Sequence, residues 1–208
     1  SKLLYPADST NEGKELRIKQ QYFFISASLQ QLVKNHYNEF GTLENFYEYN
    51  ALHINDTHPA MAVAEFMRLL IDEYHYSWEK SWEITTKTFA YTNHTIMSEA
   101  LEKWAVDLFQ PILPRIYSII EEINRRFCQW VIDMGYEMTL PETAIIYDGM
   151  IKMANLSIVG SHYVNGVSKL HSDILVDSTF RAFYALYPDK FGNVTNGIAH
   201  RRWLGQAN

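Results

Sequence analysis

The stretch Ala51-Leu52-His53-Ile54-Asn55-Asp56-Thr57-His58-Pro59 decides the fold, because a short apolar segment changes there into a polar turn and then into a helix. Residues 51–55 predict a brief β-strand. Pro59 suits the first turn of a helix, where its missing N–H group costs nothing. The helix that follows has an apolar face over residues 63–71. A strand, a polar turn and a helix in this order are the parts of a parallel βαβ unit.

The same order of segments recurs twice further along the chain. Residues 88–91 predict a second strand, which is followed by Thr92-Asn93-His94-Thr95 and a helix from about Ser98. Residues 154–159 predict a third strand, followed by Gly160-Ser161-His162 and a helix over residues 164–174.

Helical patterns account for much of the remaining sequence. Residues 12–35 have apolar positions near helical spacing, and residues 99–133 predict a long helical region broken near Pro111 and Pro114. No Pro-, Gly- or Ser-rich linker divides the chain. The predicted fold class is therefore α/β, with parallel strands and many helices, in a single domain over residues 1–208.

The three polar turns should converge, because ligands in such sheets bind beyond the carboxyl ends of the strands. The turns carry Asp56, His58, Asn93, His94 and His162. This set has many hydrogen-bond donors and acceptors and little net charge. It suits a neutral polyhydroxyl ligand better than a phosphate or a metal ion.

Each of these residues also has a simpler interpretation. Asp56 and Thr57 are natural helix N-caps, and Asn93-His94 is by default a hydrogen-bonded corner. A metal-dependent hydrolase using Asp56, His58 and His162 is an open alternative, although no H-E-x-x-H motif or cysteine cluster is present. We expect no metal site.

Composition excludes several classes of function. The chain has 208 residues, with 18 Lys+Arg against 24 Asp+Glu and a formal net charge of −6, so nucleic acid is not an expected partner. Its single cysteine permits no internal disulfide and favours a reducing, cytoplasmic location. No apolar run approaches the roughly 20 residues of a membrane-spanning helix.

Motifs in family order resemble the α-glucan phosphorylases, the family of glycogen, starch and maltodextrin phosphorylases. Together they cover almost the whole chain. They are Leu4-Tyr5-Pro6 with residues 11–17, Asn55-Asp56-Thr57-His58-Pro59-Ala60, Tyr91-Thr92-Asn93-His94-Thr95, Gly160-Ser161-His162, Val164-Asn165-Gly166-Val167, His171-Ser172-Asp173-Ile174-Leu175, Thr195-Asn196-Gly197-Ile198 and Arg201-Arg202-Trp203-Leu204.

This resemblance implies a function and a place in a larger enzyme. Family members are two-lobed GT-B glycosyltransferases, in which inorganic phosphate cleaves α-1,4-glucans to release glucose 1-phosphate. Residues 1–208 resemble the second part of the Rossmann-like N-terminal lobe. The lysine that holds pyridoxal phosphate belongs to the C-terminal lobe, so we expect no cofactor on this chain and an inactive fragment.

The resemblance also implies roles for individual residues. It makes His162 the catalytic position, with its carbonyl near the anomeric centre and its side chain toward the sugar 6-hydroxyl. Asn196 would also hold the 6-hydroxyl, and Asp56 and His58 would line the sugar side of the cleft. Each of these four residues is a predicted substrate contact.

Further implications of the resemblance concern the edges of the site. Asp8 would lie in a mobile gate loop, and Trp203 would lie near the cofactor. Lys34-Asn35 replaces the arginine pair of nucleotide-activated animal enzymes, which argues against nucleotide activation. We expect the parent enzyme to be a homodimer and the fragment to self-associate. The alternative is a stand-alone carbohydrate-binding module without catalysis.

Overall fold

A four-stranded parallel sheet forms the centre of the computed structural model, which describes residues 9–206. Its strand order is β1-β2-β6-β7, and a separate antiparallel sheet has the order β3-β5-β4. In chain order the strands are β1 Leu52–Asn55, β2 Phe89–Thr92, β3 Lys103–Ala105, β4 Ile146–Tyr147, β5 Met150–Lys152, β6 Tyr163–Gly166 and β7 Phe191–Asn193.

Helices connect and cover these strands. The α-helices of the described residues are α1 Asn11–Phe40, α2 Phe46–Tyr49, α3 Ala62–Arg68, α4 Trp78–Thr88, α5 Val106–Ile112, α6 Pro114–Asp133, α7 Leu140–Thr143, α8 Met153–Gly160, α9 Lys169–Ile174, α10 Arg181–Leu186 and α11 His200–Gln206. Five-residue π-helical segments extend α3 and α9. No helix within residues 9–206 is both long and apolar enough to cross a bilayer.

The first two predicted βαβ strands are confirmed. β1 and β2 pair in parallel, with Leu52 opposite Phe89 and Asn55 opposite Thr92. The first helical prediction is also confirmed, since α1 starts after the Thr10 N-cap and ends at Gly41. Gly41 has a left-handed φ of 69°, which glycine adopts without steric cost and which ends the helix.

The prediction of a strand over residues 154–159 is wrong. These residues lie in α8, and the third strand is β6, which begins at Tyr163. A short apolar run that is buried on every side gives no periodic signal to separate helix from strand, and all of α8 is buried. Its polar side chains are paired: the Ser157 hydroxyl donates to the Met153 carbonyl at 2.9 Å, and the Asn155 amide donates to the Ala144 carbonyl at 2.9 Å.

The predicted helix starts also need correction. After the first strand, turns cover residues 56–61 and α3 begins only at Ala62, so Pro59 precedes the helix. The long helical region is interrupted earlier than expected, because β3 lies in it before α5 begins at Val106. The helix is then interrupted at Leu113, between α5 and α6, as the two prolines indicated.

Close packing between α8 and α3 supports the central sheet. Val63 in α3 is fully buried and lies directly against Gly160, the last residue of α8. A Cβ atom added at Gly160 would lie 2.5 Å from Val63 Cγ1, well inside van der Waals contact. The two helices can therefore approach this closely only because residue 160 has no side chain.

We expect Gly160→Ala to destabilise the fold by about 1–3 kcal/mol, the usual cost of overpacking a well-packed core. A gain of up to about 1 kcal/mol in helix propensity opposes this cost but does not cancel it. The measurement is the urea midpoint of unfolding of the protein that carries this chain. Gly197→Ala is the control, because a Cβ there meets no atom within 4 Å.

A double-mutant cycle makes this prediction specific. Gly160→Ala should cost much less in a Val63→Ala background, since the truncated side chain leaves room for the added methyl group. An equal cost in both backgrounds would show that the clash with Val63 is not the cause.

Candidate functional site

Polar residues gather at the carboxyl edge of the parallel sheet. The backbone N–H of Asp56 donates to the Thr92 carbonyl at 2.9 Å, and that of Asn93 donates to the Asn165 carbonyl at 3.0 Å. The N–H of Asn196 donates to the Val167 carbonyl at 3.0 Å. The segments that follow β1, β2 and β7 are thus tied to one edge, where ligands of open α/β sheets bind.

Asp56 has an unusual backbone conformation at this edge. Its φ of 63° is in the left-handed region, which aspartate tolerates better than most residues. Its carboxylate accepts from the Thr57 backbone N–H at 2.9 Å. The N-cap of α3 is Met61, which makes no side-chain cap, so the helix-cap interpretation of Asp56 and Thr57 is wrong. Strained backbone of this kind is concentrated at functional sites.

Asn93 forms the predicted hydrogen-bonded corner. It is fully buried, its amide donates to the Tyr91 hydroxyl at 3.1 Å, and its carbonyl oxygen accepts from the Thr95 N–H at 3.0 Å. The corner fixes the turn that carries His94, whose exposed ring contacts the Asn55 side chain through Nε2. Asn93 is therefore structural, and His94 is the member of the pair that a ligand can reach.

A buried carboxylate, Glu102, orients His58. Glu102 Oε2 lies 3.5 Å from His58 Nδ1 and accepts from the Thr57 hydroxyl at 3.3 Å. Its Oε1 accepts from Arg17 Nε at 2.9 Å and from the Gln21 amide at 3.0 Å. The Glu102 side chain is only 11% exposed, so these partners compensate its charge in place of water.

This network raises the pKa of His58 and lowers that of Glu102, so it favours the charged form of each. The hydrogen bond with Glu102 raises the pKa of His58, although burial of the ring opposes the shift. Burial acts to raise the pKa of Glu102, but the His58 hydrogen bond and the Arg17 charge outweigh it and lower that pKa overall. Both shifts therefore favour the ion pair of a protonated imidazole with a carboxylate.

A cavity of about 300 Å³ opens beside this pair. It lies between α1 and the end of β1, and its lining includes Arg17, Gln21, Phe24, Asn55 and His58. Its walls combine apolar surface with a few polar groups, a typical lining for a small-molecule site. Glu102 and Arg17 are not among the site residues predicted from the sequence: Arg17 is the last residue of the motif over residues 11–17, to which no role was given, and Glu102 lies in a connecting segment without a motif.

The structure corrects the predicted position of His162. Its backbone N–H donates to the Phe89 carbonyl at 2.9 Å, so it lies at the amino end of β2 and β6. Asp56 follows β1, and its N–H is bonded to the carbonyl of Thr92, the last residue of β2. Thr92 lies three residues beyond Phe89, a distance of roughly 10 Å at the rise of a β-strand. The exposed His162 side chain therefore does not join Asp56 and His58 at the carboxyl edge.

The remaining predicted site residues have different outcomes. Asn196 is exposed in the segment after β7, at the carboxyl edge. Trp203 lies in α11 and is 55% exposed. Asp8 lies outside the described residues. Within residues 9–206, no group of three His, Cys, Asp or Glu side chains is arranged to hold a metal ion.

The fold and the site define an α/β protein whose parallel sheet presents a polar, nearly neutral edge to a ligand. A family model for carbohydrate phosphorylases matches residues 1–208, so the chain belongs to the carbohydrate phosphorylase family. It is 54% identical to the glycogen phosphorylase of Bacillus subtilis (strain 168) and 49% identical to that of Synechocystis sp., in each case over the whole of this chain.

Animal enzymes are also similar over the whole of this chain. It is 47% identical to the muscle form of glycogen phosphorylase from Ovis aries. The chain spans about a quarter of the length of these curated relatives: 26%, 25% and 26% for the three proteins.

The Glu102 network makes a prediction about His58. Glu102→Gln removes the largest influence that raises the pKa of His58, so we expect that pKa to fall to or below the usual value of about 6.5. NMR titration of the histidine ring protons measures the change. Glu48→Gln, at an exposed glutamate, is the matched control.

The raised pKa of His58 makes the stability of the folded protein depend on pH. The His58–Glu102 pair stabilises the folded state fully below the unfolded pKa of about 6.5, and this contribution is lost as pH rises through the folded pKa. Glu102→Gln should remove that pH dependence. An unchanged His58 titration in Glu102→Gln would refute the proposed pairing.

Proposed function

We propose that this chain is part of the N-terminal, glucan-binding lobe of an α-glucan phosphorylase. That enzyme releases glucose 1-phosphate from α-1,4-glucans by phosphorolysis. The supporting observation is a family match over the entire chain, joined to a carboxyl edge rich in hydrogen-bonding groups. Such an edge suits sugar hydroxyls, which need donors and acceptors but no compensating charge.

In this proposal the chain positions the sugar. Asp56 accepts hydrogen bonds from glucan hydroxyls, and His58 donates from the ring nitrogen that does not face Glu102. Asn196 offers both an amide donor and a carbonyl acceptor at the same edge. Fixing the glucan in this way contributes to the rate by removing orientational freedom before the reaction.

His94 takes the place that the family resemblance suggested for His162. Both residues are exposed histidines, but only His94 lies at the carboxyl edge with Asp56 and Asn196. Its Nε2 faces the Asn55 side chain, which holds the ring in one orientation. We therefore assign the contact with the sugar 6-hydroxyl to His94 and Asn196, and no sugar contact to His162.

The described residues do not form a cradle for pyridoxal phosphate. Lys169, the lysine that follows β6 beside the carboxyl edge, is 83% exposed and pairs with Asp173 at 3.0 Å. Trp203 is 55% exposed on α11, after the last strand. In this proposal the cofactor is held by the other lobe, and its phosphate would supply acid catalysis from there.

The proposed parent enzyme takes an α-1,4-glucan and inorganic phosphate as substrates and forms a homodimer. Self-association of the isolated chain follows from its exposed apolar side chains. Phe23 is 68% exposed and Phe24 is 54% exposed, and they lie next to each other on α1.

We expect the full-length protein that carries this chain to form glucose 1-phosphate from maltoheptaose and phosphate. The chain of residues 1–208 alone should form none, because it lacks a cofactor cradle. A coupled assay of glucose 1-phosphate measures both. Tight maltoheptaose binding by the chain alone would instead favour the carbohydrate-binding module.

Substitutions test the assignment of the sugar contacts. In the full-length protein, His94→Ala and Asn196→Ala should each lower kcat/KM for maltoheptaose by about tenfold or more, as expected for loss of hydrogen bonds worth about 1.4 kcal/mol. The loss in His162→Ala should be much smaller. The opposite ranking would restore His162 to the sugar site and overturn the assignment to His94.

A further inference from the structure

A second cavity, of about 520 Å³, lies on another part of the protein. Helices α4 and α6, the end of α8 and the turn that precedes β7 enclose it. Its size falls within the range of small-molecule sites. The carboxyl edge of the sheet contributes none of its lining residues. The cavity lining includes Arg126, Phe127, Trp130, Tyr187 and Lys190.

Stacked aromatic rings form one wall of this cavity. Trp130 and Tyr187 stack with ring centroids 4.9 Å apart and an angle of 4° between their planes. Phe127 continues the same surface, stacked on Trp130 at 6.0 Å. A planar aromatic ring can pack against such a cluster edge-to-face or with a lateral offset.

The cavity also contains an ammonium group that lacks an acidic partner. Lys190 Nζ donates to the Ile158 carbonyl at 3.1 Å and lies 4.2 Å from the centre of the Tyr187 ring. Within residues 9–206, no carboxylate forms an ion pair with Lys190. An ammonium has three N–H donors, so two remain for a ligand. The hydrogen bond to the end of α8 therefore uses only one of the three N–H donors of Lys190.

The other charges of the cavity are already compensated. Arg126 pairs with Glu122 at 2.6 Å and with Glu79 at 3.1 Å. Glu79 is itself 73% exposed at the rim. The uncompensated charge inside the cavity is therefore the single positive charge of Lys190, which a monoanion would neutralise.

We propose that this cavity binds a small planar aromatic carboxylate, which packs against the cavity side of the Trp130–Tyr187 stack and pairs its carboxylate with Lys190. Both recognition elements are needed. The rings alone would accept any apolar molecule, and the ammonium alone would accept any anion. A glucan would use the aromatic wall but would leave the charge of Lys190 uncompensated.

Burial of Lys190 gives the site a defined pH dependence. Burial lowers the pKa of Lys190 to about 8. The other ionisable groups of the lining do not change charge between pH 7 and 9.5. Backbone and Arg126 hydrogen bonds lower the pKa of Glu79, the Glu122 hydrogen bond raises that of Arg126, and burial raises that of Tyr187. Anion binding should therefore weaken as pH rises through 8.

The test is isothermal titration calorimetry of the full-length protein with 2-naphthoate at pH 7, beside the neutral analogue 2-naphthamide. We expect one saturable site for 2-naphthoate and binding of the amide that is weaker by about tenfold or more. Between pH 7 and 9.5 the affinity for 2-naphthoate should fall by about tenfold or more.

Variants of Lys190 identify the site. Lys190→Met should abolish this binding, whereas Lys190→Arg should retain it and remove the pH dependence, because arginine stays charged. Lys152→Met is the matched control. Lys152 also donates to a backbone carbonyl, that of Pro141, and lies over a tyrosine ring, that of Tyr147, but it does not line this cavity.

Several results would overturn the proposal. They are the absence of saturable binding, equal affinity for the acid and the amide, or binding that survives in Lys190→Met. Displacement of bound 2-naphthoate by maltotriose, with the same dependence on Lys190, would make the cavity a glucan site instead. If Lys190→Met does not fold, a Lys190→Arg variant that keeps the wild-type pH dependence would refute the role of Lys190.

Discussion

Parallel pairing on both sides of β2 is the constraint on which the rest of the structure depends. Phe89–Thr92 is hydrogen-bonded to β1 on one side and to β6 on the other, with residues 55, 92 and 165 in register. Because all three strands run the same way, their carboxyl ends meet at one edge and their amino ends at the other. Every candidate ligand contact is therefore assigned to an edge by its position relative to a strand.

Polar groups at the favoured edge are held by side chains that come from elsewhere in the chain. Glu102 reaches His58 from the segment before β3, and Arg17 reaches the same carboxylate from α1. These contacts cross 44 and 85 positions of sequence, so the site forms only when the helices have packed on the sheet. A site built this way keeps its histidine oriented before a ligand arrives, which lowers the ordering cost of binding.

Sequence patterns predicted what local chemistry determines. The two strands that alternate with polar turns, the long helix over residues 11–40 and the corner at Asn93 each have a short-range signal, and each is present. The strand predicted over residues 154–159 failed because α8 is buried on all sides, which removes the polar face that would have shown a helical period. That error carried His162 to the wrong edge, since residues before a strand and residues after it lie at opposite ends.

The two cavities differ in how they compensate charge, and this difference separates their ligands. Beside β1, the carboxylates of Glu102 and Asp56 balance Arg17 and His58, so a ligand there meets hydrogen-bonding groups with little net charge. Beside α6, Glu79 and Glu122 balance Arg126 while Lys190 keeps its charge without an acidic partner among the described residues. A neutral glucan gains nothing from that charge, and an aromatic anion gains nothing from the first edge. One protein can thus keep the two kinds of ligand apart by the placement of a few carboxylates alone.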